Sequence, residues 1–143
     1  MTVLANGMPA ASGLAVVTEL ARRFGAGDGA GAAALFHPQI AIQQPASLPH
    51  GGWHQGTAGM AEMGATFARY WTRTISAPLI YGGSSNDGTG TVVQVTSQTW
   101  TARATGRSAT VDVVELFRFR DGLVAEIRVF QQDTALLLAT LDF

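Results

Sequence analysis

The chain of 143 residues contains no cysteine, which excludes disulfides, thiolate metal sites and a cysteine nucleophile and leaves its redox compartment open. Charge is scarce as well: charged residues make up 13% of the chain, and nine basic against ten acidic side chains give a formal net charge of −1. With no basic cluster among them, neither a phosphate backbone nor an anionic membrane finds a landing site, so no nucleic-acid or membrane partner is expected. Long apolar runs are missing. None approaches the ~20 residues of a membrane span, and Met1 to Ser12 lacks the charged start and unbroken apolar core of a signal peptide, so a cytoplasmic protein is expected. No Gly-rich phosphate loop follows a strand and no serine sits in a nucleophile elbow, which sets nucleotide and acyl-enzyme chemistry aside.

Apolar residues, by contrast, are plentiful at 47%. That argues against disorder and predicts apolar surface beyond the needs of one core, hidden in a ligand pocket or a subunit interface. A single domain over residues 1–143 and a homodimer are the expectations. Only the N-terminus and the Gly-rich stretch around Gly82 to Gly90 are loosely composed, and they read as a tail and a turn.

Leu14, Val17, Leu20, Ala21 and Phe24 recur at helical spacing after Ser12, a usable N-cap, and predict a first helix. Asp28 can cap a second, short helix through Ala32, Leu35 and Phe36 that His37 and Pro38 would end. Ile40 and Ile42 alternate with polar neighbours in a brief strand closed by Pro45, and a long loop then leads to Gly56. Thr57 can cap a third helix whose apolar face carries Met60, Met63, Phe67 and Trp71. Thr74 to Tyr81, Thr91 to Arg103, Ala109 to Arg120 and Leu123 to Asp133 read as strands of an antiparallel meander, with Asp121-Gly122 as a hairpin turn. Thr134 to Leu141 adds a closing helical turn. Strands this long must twist and bend, so the sheet can curl around the helices.

This order resembles the nuclear transport factor 2 superfamily and, within it, the SnoaL-like polyketide cyclases and ketosteroid isomerases. Three stretches carry the likeness: Phe24 to Asp28 with Ala34-Leu35-Phe36, Ile40 to Pro45 with Gly56-Thr57, and Val114 to Arg128. The resemblance implies an α+β cone, a curved antiparallel sheet wrapped around three N-terminal helices with an internal cavity. Compared residue by residue, Gln44 stands where ketosteroid isomerases hold a catalytic Asp before Pro45, and Leu20 where they hold an oxyanion-binding Tyr. Glu115 keeps the acid that precedes Phe-Arg-Phe. Epoxide hydrolases of the superfamily carry an Asp after the Arg equivalent to Arg128, where this chain has Val129. Asp133, before Thr134-Ala135-Leu136-Leu137-Leu138, is similar to the acid/base Asp of SnoaL-like cyclases.

Period two places Val129, Gln131 and Asp133 on one face of the last strand, so Asp133 reads as an acid at a cavity rim, as the N-cap of the closing helix, or as both. Glu115, amid apolar neighbours, either points inward or pairs with Arg128 across the strands. Gln98 and Trp100 share a face with Thr96; Gln43 or Gln44 contributes a buried amide by alternation, and the resemblance gives the cavity position to Gln44, where it can orient a substrate carbonyl. His50, Trp53 and His54 lie in the long loop, read as a lid that lends an imidazole; with glycines between the histidines and no third ligand, no metal is expected. Met63 and Phe67 would line the pocket. These residues together predict a cofactor-independent acid/base enzyme acting on an apolar, oxygenated small molecule by cyclisation, isomerisation or dehydration, with Asp133, Glu115, His54 and His50 as catalytic candidates. The alternative is a non-catalytic binding or assembly domain.

Overall fold

The computed structural model describes residues 12–82 and 90–141; the predicted N-terminal tail and most of the Gly-rich turn lie outside these residues. Ser12 caps α1 (Gly13–Gly25), its hydroxyl accepting the Ala15 N–H at 3.2 Å. Val16, Val17 and Leu20 are the buried stripe, while Leu14 and Phe24, expected to extend it, stay 43% and 55% exposed. Gly13 lets the helix start close to the sheet: a Cβ there would lie 2.6 Å from the Phe119 ring.

Asp28 caps α2 (Gly29–Ala33) through the Gly31 N–H at 2.8 Å. This helix is shorter than predicted, for Phe36, His37 and Pro38 belong to β1 (Phe36–Gln44). Five residues of glycine and alanine offer no apolar stripe, whereas Leu35 and Phe36 gain the sheet: the Leu35 carbonyl accepts the Val124 N–H at 2.9 Å. Pro38, which has no N–H, falls where the ladder is irregular between Phe36 and Ala41.

The loop before Gly56 is not all loop. Its second half is β2 (Gly52–Gln55), an edge strand antiparallel to β1 with Gln44 opposite Gly52. Next, α3 (Gly56–Tyr70) begins at Gly56 with φ of 68°, and Gln55 rather than Thr57 holds the N-cap position. Trp71, predicted on the face of α3, instead opens β3 (Trp71–Ile75) and is completely buried. β3 and β4 (Leu79–Gly82) divide a segment predicted as one strand, with Pro78 between them, and both pair antiparallel with β5 (Val92–Ala102). β6 (Ser108–Arg120) and β7 (Leu123–Gln131) follow, joined by Asp121 and Gly122 at φ of 55° and 73°, the left-handed pair of a tight hairpin.

The strand order is β2-β1-β7-β6-β5-β3, with β4 also on β5, and the sheet is curved and unclosed. It is mixed rather than wholly antiparallel, because β1 runs parallel to β7. These two strands are far apart in sequence, so no hairpin dictates their direction. Asp133 caps the last helix, α4 (Thr134–Ala139).

One side-chain chain ties the ends of the fold together. Trp71 Nε1 donates to Thr140 Oγ1 at 2.8 Å, and that hydroxyl donates to the Leu137 carbonyl at 2.6 Å. Trp71→Phe leaves the ring in place but removes the indole bond and some volume, so unfolding in urea is expected to show a loss of about 2 kcal/mol.

Candidate functional site

Alternation along the strands turns one set of side chains to the concave side. Val92, Thr96, Gln98 and Trp100 of β5 are buried there, as are Val113 and Phe117 of β6, so Glu115, between the last two, shares their face. β7 adds Ile127, Val129 and Gln131, and β1 adds Ile42 and Gln44.

The interior polar groups divide into satisfied and unsatisfied ones. Trp100 Nε1 donates to Gln98 Oε1 at 2.9 Å, and Gln98 Nε2 donates to Thr96 Oγ1 at 3.0 Å, so both ends of the Gln98 amide are engaged inside the core. Gln131 Nε2 donates to Gln44 Oε1 at 3.3 Å, and Gln44 Nε2 faces the Met63 sulfur at 3.6 Å. Gln131 Oε1, however, is buried without a partner. So is His50 Nδ1.

His50 is 3% exposed, not the lid residue its loop implied. Its ring meets Phe67, Trp71 and Trp100 at centroid separations of 5.4, 6.1 and 5.8 Å. Burial first, then the nearby charges of Arg73 and His54, lowers its pKa from 6.5 to about 4, so at neutral pH the imidazole is uncharged. The loop reaches inward through turns from Leu48 to Pro45 and from Gly51 to Leu48, and a Cβ on Gly51 would meet the Pro45 carbonyl and lie 2.9 Å from Ala46 Cα.

Glu115 lies across from Gln94 and Val129, and Gln94 Nε2 donates to its carboxylate at 3.4 Å. Of the two readings of this residue the inward one holds. Arg128 is on the opposite face, where its Nε donates to Gln43 Oε1 at 3.0 Å. Burial raises the Glu115 carboxyl above its ordinary value, against the lowering pull of Arg73 and of the Gln94 bond.

Arg73 was not singled out in the sequence. It stands opposite Trp100 on β3, on the concave side, with its guanidinium carbon 4.7 Å from the Phe67 ring centroid. Its side chain is exposed, yet the surrounding protein depresses its pKa, which the Glu115 charge partly restores. The signal that could have found it is parity with Trp71, hidden because Trp71 read as helical. Gln94 was likewise missed, although it shares the face of Thr96.

Not every candidate joins this group. Asp133 is exposed beyond the end of β7, and its carboxylate accepts the Leu136 N–H at 3.0 Å, the helix-cap reading. Trp53 is 50% exposed on β2, and His54 is half-buried with Nε2 at 2.8 Å from the His50 carbonyl. Among the described residues no group of three His, Asp or Glu side chains converges as a metal site. An open groove of about 750 Å³ lies on the other, convex side between Gln39, Gln55, Arg118, Arg120 and Glu126, and holds none of the candidates.

Residues 17–127 match the sequence profile of the SnoaL-like domain. The chain belongs to the SnoaL-like family. None of the curated proteins searched matches it. Among solved structures, an NTF2-like protein of unknown function from Burkholderia pseudomallei K96243 is 22% identical at a TM-score of 0.76, covering 92% of this chain and 98% of that one. TerC co-crystallized with polyporic acid is 21% identical at 0.75, with the same coverage of 92% and 98%. A candidate polyketide cyclase from Pseudomonas putida KT2440 is 12% identical at 0.69, covering 90% and 97%. At such identities these likenesses establish the NTF2-like cone and nothing finer. The SnoaL-like domain here contains no helix, among the described residues, long and apolar enough to cross a membrane.

The depressed His50 has a consequence for stability. Between about pH 4 and 6.5 the unfolded chain binds a proton that the folded one refuses, so stability rises with pH across that window. Urea unfolding of the wild type is expected to lose on the order of 3 kcal/mol between pH 7 and pH 4 through this group, and His50→Leu to flatten that part of the profile.

Proposed function

We propose that this SnoaL-like domain is a cofactor-independent acid/base enzyme, of the cyclase or isomerase type, acting on an apolar oxygenated small molecule. The observation that carries the reading is Glu115, an acid set among apolar walls, held by one amide and not paired with any cation among the described residues. A carboxyl whose proton affinity is raised above its ordinary value by burial exchanges protons with a carbon acid more effectively than an ordinary surface carboxylate.

In the step envisaged, the Glu115 carboxylate takes a proton from the carbon beside a substrate carbonyl. The C–H bond breaks, an O–H bond forms on Glu115, and the electron pair moves onto the carbonyl oxygen as an enolate. Neutral His50 and the Gln44 amide are the groups that steady that oxygen. Return of the proton to a different atom isomerises the substrate; attack of the enolate carbon on a second carbonyl cyclises it; loss of a β-hydroxyl, protonated as it leaves, dehydrates it. Phe67, Met63, Trp100 and Val129 form the apolar wall and Gln98 braces Trp100. Asp133 is left to its helix cap, and Trp53 and His54 to the edge of the site.

The exposed Phe130 on the convex side of the sheet, with Leu79 and Tyr81 on β4 beyond it, supports a homodimer formed through that surface. A cytoplasmic location and a small molecule, rather than nucleic acid, as partner complete the proposal.

The test is deuterium exchange of the α-protons of 2-tetralone, an apolar ketone, followed by NMR in D2O. Wild type is expected to accelerate exchange, and Glu115→Gln to lower that rate by roughly 10²-fold or more, the usual share of a general base. Asp133→Asn is expected to keep the rate, while Asp133→Ala keeps it and costs about 1 kcal/mol of stability through the lost cap. Acceleration that survives Glu115→Gln removes Glu115 from the mechanism; no acceleration by wild type leaves a binding domain without this chemistry.

A further inference from the structure

Arg73 takes no part in the step above, and its surroundings are unusual for an arginine. Among the described residues it makes no hydrogen bond and no ion pair; its guanidinium lies over the face of Phe67, 4.7 Å from the ring centroid. Stacking on a ring uses the flat face of a guanidinium and leaves the in-plane N–H fork free. The neighbouring acid does not fill that fork. Glu115 is close enough to be felt electrostatically but makes no ion pair with it, and its carboxylate is engaged by Gln94.

The Arg73 side chain is exposed, so water satisfies the fork until an anion displaces it, and a fork already held in one plane by the ring gives up little freedom in binding one. A second observation points the same way. His50, whose ring packs edge-on against the same Phe67, has Nδ1 buried without a partner. The concave face therefore carries one ring-stacked cation beside an aromatic wall that includes a neutral imidazole.

We infer that the ligand of this site is anionic, a planar molecule whose carboxylate or comparably acidic enol is held by the free fork of Arg73 while its apolar body lies against the wall of Phe67 and Trp100. A carboxylate matches the fork in plane and can accept two N–H bonds, which a neutral ketone cannot. Phe67 serves twice, holding the guanidinium from one side and setting the plane from which the fork projects. His50, neutral at neutral pH, adds a hydrogen-bonding group without competing for the anion. The inference narrows the proposed substrate to acids and rests on that reading only for the location of the site.

Isothermal titration calorimetry with 2-naphthoate and its neutral counterpart 2-naphthamide tests it. Wild type is expected to prefer naphthoate by roughly tenfold or more, the effect of a charge-assisted bidentate pair. Arg73→Gln is expected to bring the two affinities together with its thermal melt unchanged, and Arg73→Lys, which keeps the charge without the fork, to recover part of the preference. Glu115→Gln is expected to retain the preference while losing proton exchange, so that failure of the anion site and failure of the acid/base reading are told apart. Equal affinities in wild type, no saturable naphthoate binding, or a preference that survives in folded Arg73→Gln overturns the inference. Should Arg73→Gln not fold, Arg73→Met makes the same comparison.

Discussion

Period-two alternation along the β5–β6 ladder is the constraint on which the interior depends. From Val92 opposite Phe117 to Thr101 opposite Ser108 the two strands pair without a break, so a side chain's parity alone decides whether it meets the core or the solvent. Glu115 is inside because Val113 and Phe117 are inside, and a shift of one residue would put Val114 and Leu116 in its place. Gln94, Thr96 and Gln98 are carried inward by the same rule. The irregularity comes only at the hairpin end, between Arg118 and Phe119, where the ladder with β7 shifts register and Phe119 turns towards α1.

What the interior does with those polar groups separates scaffold from site. Around Trp100, the indole, Gln98 and Thr96 bond to one another, a network that fixes the ring position. Trp71 is treated likewise, anchored to Thr140 so that α4 is tied to β3. Around Phe67 the pattern reverses: His50 Nδ1 lacks a partner, Arg73 has only a ring face, and Glu115, whose charge Arg73 feels, has one long amide bond. Unsatisfied groups gathered in one place, beside satisfied ones a few residues away, are more informative than any single acid. The two buried titratable groups also pull in opposite senses, His50 resisting protonation and Glu115 resisting ionisation, and burial is the leading cause of both.

Much of the frame was legible in the sequence for local reasons. Ser12, Asp28 and Asp133 cap helices as their types predict, and Asp121-Gly122 makes the turn its dipeptide demands. Legibility failed where a neighbour distant in sequence decided the outcome. Phe36 left a helical pattern for a place beside Val124, Gly52 to Gln55 became a strand because β1 offered an open edge, and Trp71 ended a helix because the interior had room for an indole. Candidate site residues failed for the same cause: His50 read as part of a lid, and Arg73 lay two residues after Trp71, which read as helical.

By itself, then, the sequence determined the caps of the first two helices, the last hairpin and the alternation of the long strands, since these follow from periodicity and from residues a few positions apart, while the α+β cone was implied by the family resemblance. Only the tertiary structure decided that β1 runs parallel to β7, that Asp133 is spent on a helix cap, and that His50, Phe67, Arg73 and Glu115 share one concave space. The physical reason is that burial and charge proximity are properties of residues brought together from β3, α3, β6 and a loop, and no local pattern along the chain encodes which of them will meet.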